Sequence, residues 1–126
     1  MTQKVALVTG GSSGIGLAVC KALRAHGCLV YEISRREAEH PGIFHIGADI
    51  SDRDAVQAAV DRVIREAGRI DILINNAGYG ISGAVEFTDA QEAKRLFEVD
   101  FFGMTYVTQA VLAVMRGAGG GRIVNI

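Results

Sequence analysis

The sequence predicts an α/β protein in which parallel strands form a sheet with helices on both faces. Short apolar segments alternate with segments in which apolar residues recur at helical spacing. The apolar segments contain few polar positions, as expected for parallel strands that are covered on both faces. Sixteen glycines cluster at turns between the segments, without a collagen-like period. This alternation predicts right-handed crossovers and one domain over residues 1–126.

The first three elements are a strand over residues 4–9, a helix over 14–26 and a strand over 29–34. KVALVT is apolar enough for a buried strand, and LVYEIS is rich in β-branched and apolar residues. Between them, apolar residues recur at helical spacing in GIGLAVCKALRAH. Gly27 follows at the position that favours a helix C-terminal glycine.

A third strand, a second helix and a fourth strand are predicted over residues 44–49, 51–68 and 70–75. The polar segment RREAEHPG, which precedes the third strand, is too short for a packed helix. Ser51 is expected to cap the second helix, with aspartates in the first turn. Gly68 is expected to end it.

The last part of the chain predicts a long helix and a fifth strand. The helix is expected to start in a capping box formed by Thr88 and Gln91 and to run to about Met115. GAGGGR interrupts the helical pattern, and RIVNI at residues 122–126 has the composition of a strand.

Charge and cysteine content exclude several classes of protein. The net charge of −1 offers no basic surface for nucleic acid or an anionic membrane. The apolar segments are too short for a signal peptide or a membrane span, which favours the cytoplasm. Cys20 and Cys28 have no partner at metal-ligand spacing. We expect buried thiols in a reducing compartment and no metal site.

The glycine turn TGGSSGIG, residues 9–16, predicts an anion site. It joins the first strand to the first helix, where unpaired N–H groups and a partial positive charge favour a phosphate. Gly10 would permit the tight turn, and Gly14 and Gly16 would allow close approach of a diphosphate and close packing of the helix on the strand. The hydroxyls of Ser12 and Ser13 would add donors. The alternative is a tight connection without a ligand.

The motifs resemble those of the short-chain dehydrogenase/reductase family. TGGSSGIG matches the cofactor motif of that family, and NNAG at residues 75–78 matches its second motif. GADISD at residues 47–52 resembles the end of its third strand. FEVDFFG and GGGRIVNI resemble its long helix and fifth strand. The resemblance implies a Rossmann-type doubly wound sheet with strand order 3-2-1-4-5 and a nicotinamide cofactor.

The resemblance also implies roles for individual residues. An aspartate such as Asp49 contacts the adenine ring in the family, and NNAG braces the sheet beside the cofactor. Asp49 could instead only cap the next segment, and Asn75 could only satisfy buried backbone groups. The cofactor-binding residues expected in this sequence are Gly10, Ser12, Ser13, Gly14, Ile15, Gly16, Ser34, Arg35, Asp49, Ile50, Asn76, Ala77 and Gly78.

The end of the second strand favours NADP(H) over NAD(H). An acidic residue at this place would hydrogen-bond the adenosine ribose and repel a 2′-phosphate. This sequence has Ser34, Arg35 and Arg36 there, and an arginine can bind a phosphate through two parallel hydrogen bonds. The nearest acid, Glu32, lies two residues earlier, inside the strand. The alternative is a pair of solvated arginines, with NAD(H) as the cofactor.

The catalytic serine, tyrosine and lysine of the family have no counterpart in the sequence. A tyrosine, which ordinarily titrates near pH ~10, needs a nearby positive charge to act as a base at neutral pH. None of the three tyrosines has a lysine four positions later. The resemblance places these residues beyond Ile126, so the chain is expected to be the N-terminal half of a longer enzyme.

Asp100 stands where the family often has a catalytic asparagine. A role of the backbone carbonyl would survive the change from asparagine to aspartate, whereas a hydrogen bond donated by the side-chain amide would be lost. The alternative is that Asp100 is only a polar residue near a kink in the helix. The broad apolar surface of the long helix, which includes Phe97 and Phe101, suggests burial against both the sheet and a partner. The resemblance implies a homo-oligomer of the full-length protein through this helix, and core packing alone is the alternative.

The resemblance implies interconversion of a small alcohol and a ketone or aldehyde by hydride transfer. Two alternatives remain open. The chain could be a non-catalytic nucleotide-binding or dimerising fragment, or an epimerase-type or methyltransferase relative on a similar fold.

Overall fold

The structure, a computed structural model, describes residues 3–126. The strands are β1 (Val5–Thr9), β2 (Leu29–Ser34), β3 (Ile43–Gly47), β4 (Ile72–Asn75) and β5 (Arg122–Asn125). The helices are α1 (Gly14–Ala25), α2 (Arg53–Ala67), α3 (Ala90–Phe97) and α4 (Met104–Ala118). A short 3₁₀ turn covers Val85–Phe87, and a π-helical segment, Glu98–Gly103, joins α3 to α4.

The five strands form one parallel sheet in the order β3-β2-β1-β4-β5, which confirms the predicted topology. All five residues of β1 are buried, since it is the central strand with a layer of helices on each face. Strands β2 and β3 are added outward on one side of β1, and after β3 the chain returns to pair β4 with the other side of β1. The carboxyl ends of β1 and β4 therefore lie side by side. Ligands bind at this kind of switch point in doubly wound sheets.

Two apolar layers fix the helices against the sheet. One face of the sheet packs against α2 and α4, with Val60 and Val111 at the centre of that layer. The other face packs against α1 through Cys20, Ala6 and Val8. All of these side chains are buried, and along β1 successive apolar residues alternate between the layers, Val5 and Leu7 in the first and Ala6 and Val8 in the second.

The start of α2 differs from the prediction, whereas its end agrees. Gly68 ends the helix with a φ of 79°, as predicted. The N-cap is Asp52, not Ser51: its side chain accepts a hydrogen bond from the Ala55 amide. The Ser51 hydroxyl is engaged elsewhere: it donates to the Asp49 carboxylate over 2.8 Å and accepts from Arg95 over 3.1 Å.

The helix predicted from residue 88 to about Met115 is confirmed as one continuous helical run over residues 90–118, but its cap and its regular α-helical form are not. Asp89, not Thr88, caps α3, and the Thr88 hydroxyl donates to a carbonyl one turn earlier. The π-helical segment interrupts the α-helical pattern before α4. At its end, a Cβ on Gly103 would lie 2.7 Å from the side chain of Ile50. This close approach depends on tertiary contacts, which helical periodicity does not encode.

Smaller differences concern strand limits and exposure. The third strand starts one residue earlier than predicted and ends at Gly47. Cys20 is buried, as expected, but Cys28 is only partly buried. Within residues 3–126, no helix combines the length and apolar content that a membrane crossing requires.

Candidate functional site

The glycine turn brings the end of β1 and the start of α1 into close contact. Gly10 has a φ of 67°, a conformation that glycine adopts at little cost, and its amide donates to the Ile33 carbonyl over 2.7 Å. A Cβ on Gly16 would lie 2.1 Å from the Gly10 carbonyl oxygen and 2.5 Å from Nδ2 of Asn76. Gly16 therefore provides close packing beneath the turn, as predicted for a glycine at this position.

The N-terminus of α1 is free to receive an anion. Within the described part of the chain, no side chain caps this helix: Ser13 makes no capping hydrogen bond and the first turn carries no acid. By contrast, α2 and α3 are capped by the carboxylates of Asp52 and Asp89. The first amides of α1 therefore keep their donors and their partial positive charge available for a ligand.

The NNAG segment holds the end of β4 against this turn. The Thr9 hydroxyl accepts hydrogen bonds from the amides of Asn76 and Ala77, each over 3.0 Å. The side-chain amide of Asn76 donates to the carbonyls of Thr9 and Gly10 over 3.2 and 3.1 Å. These four bonds fix the two strand ends relative to each other.

Asn75 braces the next strand rather than the cleft. Its Nδ2 donates to the Thr108 hydroxyl over 3.0 Å and to Oδ1 of Asn125 over 2.9 Å. The residue is 5% exposed, and its Oδ1 atom has no hydrogen-bond partner among residues 3–126. Asn75 thus links β4 to α4 and β5.

The end of β2 presents arginines to solvent and keeps its acid inside. Arg35 and Arg36 are exposed. Glu32 is 1% exposed and pairs with the imidazole of its cross-strand neighbour His45. The Ser34 hydroxyl donates to Oε1 of Glu32 over 3.2 Å. The Glu32 side chain therefore lies in the protein interior, whereas the charged side chains that directly follow β2, Arg35 and Arg36, are cationic and exposed.

Asp49 is held by an arginine from α3. Arg95 donates from Nη2 to Oδ2 of Asp49 over 2.7 Å and from Nη1 to the Ser51 hydroxyl over 3.1 Å. The amide and hydroxyl of Ser51 both donate to Oδ1 of Asp49. Burial by itself would raise the pKa of Asp49, but the hydrogen bonds from Arg95 and Ser51 outweigh it and lower the pKa to about 2. The carboxylate is therefore ionised at neutral pH.

These segments surround one cleft of about 640 Å³ at the carboxyl ends of the strands. Its lining residues are Gly10, Ser12, Ser13, Ile15, Ile33, Ser34, Arg35, Arg36, Ala48, Asp49, Ile50, Asn76, Ala77, Gly78, Tyr79, Val99 and Ile126. Eleven of the thirteen predicted cofactor-binding residues are among them, and the other two, Gly14 and Gly16, belong to the turn at its base. The structure therefore brings the predicted set together, and their role as cofactor ligands stays a prediction.

Asp100 lies in the π-helical segment and does not line the cleft. Its Oδ1 accepts a hydrogen bond from the Tyr79 amide over 3.0 Å. A Cβ on Gly78 would lie 2.8 Å from the same oxygen. The carboxylate therefore holds the backbone that follows NNAG, which is a role as an acceptor and not as an amide donor.

Sequence reasoning missed several residues that shape the cleft. The sequence patterns indicate no role for Arg95 or His45, and none for Thr9 beyond its place in the glycine turn. His40 was missed too: its Nε2 lies 2.9 Å from the Ser12 carbonyl oxygen, so the β2–β3 connection contacts the glycine turn. Thr9 had a detectable signal, because it directly precedes the glycines. The other three act across long sequence separations, which leave no local pattern.

The cleft fits a dinucleotide by its own chemistry. A diphosphate requires amide donors without side-chain obstruction, and the α1 N-terminus provides them. A carboxylate that accepts hydrogen bonds, such as Asp49, suits the amine of a base. The exposed Arg35 and Arg36 suit a further phosphate. These three features lie on the lining of the same cleft.

Comparison with known proteins agrees with this geometry. The sequence model described as short chain dehydrogenase matches residues 4–126. The 3-ketodihydrosphingosine reductase of Bacteroides thetaiotaomicron is 39% identical over 127 residues, covering 100% of this chain and 47% of the relative. The acetoacetyl-CoA reductase of Paracoccus denitrificans is 37% identical, covering 98% of this chain and 54% of the relative. The chain thus spans about half the length of these curated relatives.

Solved structures show the same correspondence. The ligand-free aldohexose dehydrogenase of Thermoplasma acidophilum superposes with a TM-score of 0.93 at 32% identity, covering 98% of this chain and 49% of that one. An NAD⁺-bound xylitol dehydrogenase superposes with a TM-score of 0.91 at 30% identity, covering 98% of this chain and 52% of that one. The match to the family extends over the whole described sheet and both of its helical layers. The chain therefore belongs to the short-chain dehydrogenase/reductase family of oxidoreductases.

Proposed function

We propose that this chain forms the NADP(H)-binding part of an oxidoreductase that interconverts an alcohol and a ketone or aldehyde. The observation that carries the proposal is the single cleft that joins the open α1 N-terminus, two exposed arginines and an ionised aspartate. When bound, the dinucleotide supplies or accepts the hydride. The chain's own residues bind it, orient it and fix the loops around it.

Each part of the cleft has a distinct task in this proposal. The free amides of α1 bind the diphosphate, with Ser12 and Ser13 on the same lining. Asn76 and Thr9 keep the turn beneath it rigid through their mutual hydrogen bonds. Asp100 fixes the backbone after NNAG through the Tyr79 amide. A preformed site of this kind lowers the entropy lost on binding.

Preference for NADP(H) rests on the charges at the end of β2. Arg35 and Arg36 line the cleft, whereas Glu32 is buried against His45 and absent from the lining. A 2′-phosphate would therefore meet guanidinium groups and no competing carboxylate at this strand end. Charge-assisted hydrogen bonds contribute about 1.5–3 kcal/mol each. We expect tighter binding of NADPH than of NADH.

Calorimetric titration with NADPH and NADH tests this proposal. In Ser34→Asp/Arg35→Gln the new carboxylate would repel the 2′-phosphate, and one guanidinium would be lost. We expect the NADPH:NADH affinity ratio to fall by roughly 10–100-fold. Arg62→Gln, which removes an arginine paired with Glu66 on α2, is the matched control and should leave the ratio unchanged.

Two results would contradict the proposal. If neither dinucleotide binds the wild-type protein, the cleft is not a dinucleotide site. If both bind and the double variant keeps the wild-type ratio, the arginine does not recognise the 2′-phosphate. The catalytic step has a separate test: the sequence that follows Ile126 should contain a serine and then Tyr-x-x-x-Lys.

Self-association of the whole protein is part of the same proposal. Phe97, Phe101 and Phe102 remain 60%, 52% and 46% exposed, and a group of exposed apolar side chains of this kind is typical of a protein interaction surface. Sedimentation velocity of the complete protein would reveal whether it is an oligomer.

A further inference from the structure

Arg95 is the point at which α3 contacts the base of the cleft. The guanidinium divides its hydrogen bonds between two residues of the β3–α2 connection, Asp49 and Ser51. The residues in contact are separated by 46 and 44 positions in the sequence. Arg95 itself does not line the cleft, whereas Asp49 does. Any effect of Arg95 on a ligand would therefore act through Asp49.

The hydrogen bonds leave Asp49 with one defined acceptor position. Its Oδ1 atom already receives the amide and the hydroxyl of Ser51, over 3.0 and 2.8 Å. Its Oδ2 atom receives one donor, Arg95, over 2.7 Å. A carboxylate oxygen has room for about two donors, so the remaining capacity is on Oδ2. The Asp49 side chain is one-third exposed and lines the cleft, so a ligand there can approach the carboxylate.

Three donors from two directions also fix the plane of the carboxylate. The Ser51 hydroxyl accepts from Arg95 and donates to Asp49, so the three side chains form a closed ring of hydrogen bonds. Such a ring restricts rotation of the aspartate more than a single ion pair would. A lysine could not replace the arginine here, because its single ammonium lacks the planar fork that reaches both partners.

From this arrangement we propose that Arg95 is a positioning residue that aligns Oδ2 of Asp49 to accept the exocyclic amine of the cofactor's adenine. This inference rests on the proposed function of the cleft. The amine is a donor, and it suits an oxygen that can only accept. Hypoxanthine carries a carbonyl oxygen at the same place, which would meet the carboxylate as an unfavourable pair of acceptors. Arg95 therefore determines base selectivity without touching the base.

The test compares NADPH with its hypoxanthine counterpart by calorimetric titration of the full-length protein. We expect the wild type to bind NADPH at least about tenfold more tightly. In Arg95→Met the ratio should fall to roughly threefold or less, because the carboxylate is free to rotate. Arg95→Lys, which keeps the charge and loses the fork, should fall nearly as far. Lys94→Met makes the same charge change on the exposed neighbour in α3 and should keep the wild-type ratio.

The selectivity ratio separates positioning from a structural role. A general loss of structure would weaken both dinucleotides equally and leave the ratio at its wild-type value, which would overturn the inference. Full selectivity in Arg95→Lys would also overturn it, since charge alone would then suffice. If the wild type binds both dinucleotides equally well, this inference fails while the proposed function stands. If it binds neither, both fail together.

Discussion

Replacing Gly16 with alanine tests whether the close contact beneath the glycine turn governs both stability and binding. In a helix interior this change ordinarily gains about 0.5–1 kcal/mol. Here the added Cβ would lie 2.1 Å from the Gly10 carbonyl oxygen and 2.5 Å from Nδ2 of Asn76. The first of these neighbours is backbone in a tight turn, which cannot move away cheaply. Overpacking of this kind costs about 1–3 kcal/mol, and we take the upper end.

The net expectation is a loss of about 2–2.5 kcal/mol in the free energy of unfolding, together with weaker NADPH binding. Gly117 provides the matched control, because it also lies in a helix but a Cβ there would meet nothing within 4 Å. Gly117→Ala should gain about 0.5–1 kcal/mol and leave binding unchanged. Because the intrinsic gain is common to both and cancels, the two substitutions should differ by the overpacking cost itself, about 3 kcal/mol.

Urea unfolding followed by circular dichroism measures both free energies, and calorimetry measures NADPH binding. The reasoning would be refuted if Gly16→Ala were as stable as Gly117→Ala. It would equally be refuted if Gly16→Ala bound NADPH with wild-type affinity, because displacement of the Gly10 carbonyl should disturb the diphosphate site.

Three further predictions concern buried and ionisable groups. His45→Leu leaves the Glu32 carboxylate buried without its partner and should cost about 2–4 kcal/mol, somewhat below the fully buried case because His45 is 20% exposed. The double variant Glu32→Leu/His45→Leu should recover most of this loss in urea unfolding. A double variant as unstable as His45→Leu would show that the buried Glu32 carboxylate is not the cause of the loss. Burial and the nearby Glu32 carboxylate raise the pKa of Cys20 to about 12, so a thiol reagent should label the partly buried Cys28 first and Cys20 only after unfolding. The folded-state pKa of Asp49, about 2, lies below its ordinary value of 3.8, so its contribution to stability is complete above about pH 4 and is lost as pH falls to about 2. In Asp49→Asn, the free energy of unfolding should therefore fall less steeply between about pH 4 and about pH 2 than in the wild type. An identical pH dependence in the two proteins would contradict the lowered pKa of Asp49.

Local chemistry explains why much of the fold could be predicted. The apolar segments identified all five strands, because burial on both faces leaves a continuous apolar signature. Gly68 ended α2 as predicted, and Gly10 adopted the conformation that its turn requires. The spacing of the glycines and NNAG identified the family and most of the residues around the cleft.

The errors fall where one local signal competes with a distant contact. Serine is a favoured helix N-cap residue, yet the Ser51 hydroxyl donates to Asp49 and accepts from Arg95, 44 positions away in the sequence. The pattern after residue 88 is helical throughout, yet the chain widens into a π-helical segment where Gly103 packs against Ile50. In both cases the local structure depends on which side chain packs against the residue in the folded protein.

The sequence by itself determined the order of the strands, the family and the glycine turn between the first strand and the first helix, because each depends on residues that are neighbours along the chain. Only the tertiary structure decided that Arg95 holds Asp49 and that His45 pairs with the buried Glu32. Those contacts depend on the register between strands and on how the helices pack against the sheet. Such positions follow from the packing of the whole molecule, and no short segment of the chain carries enough free energy to fix them alone.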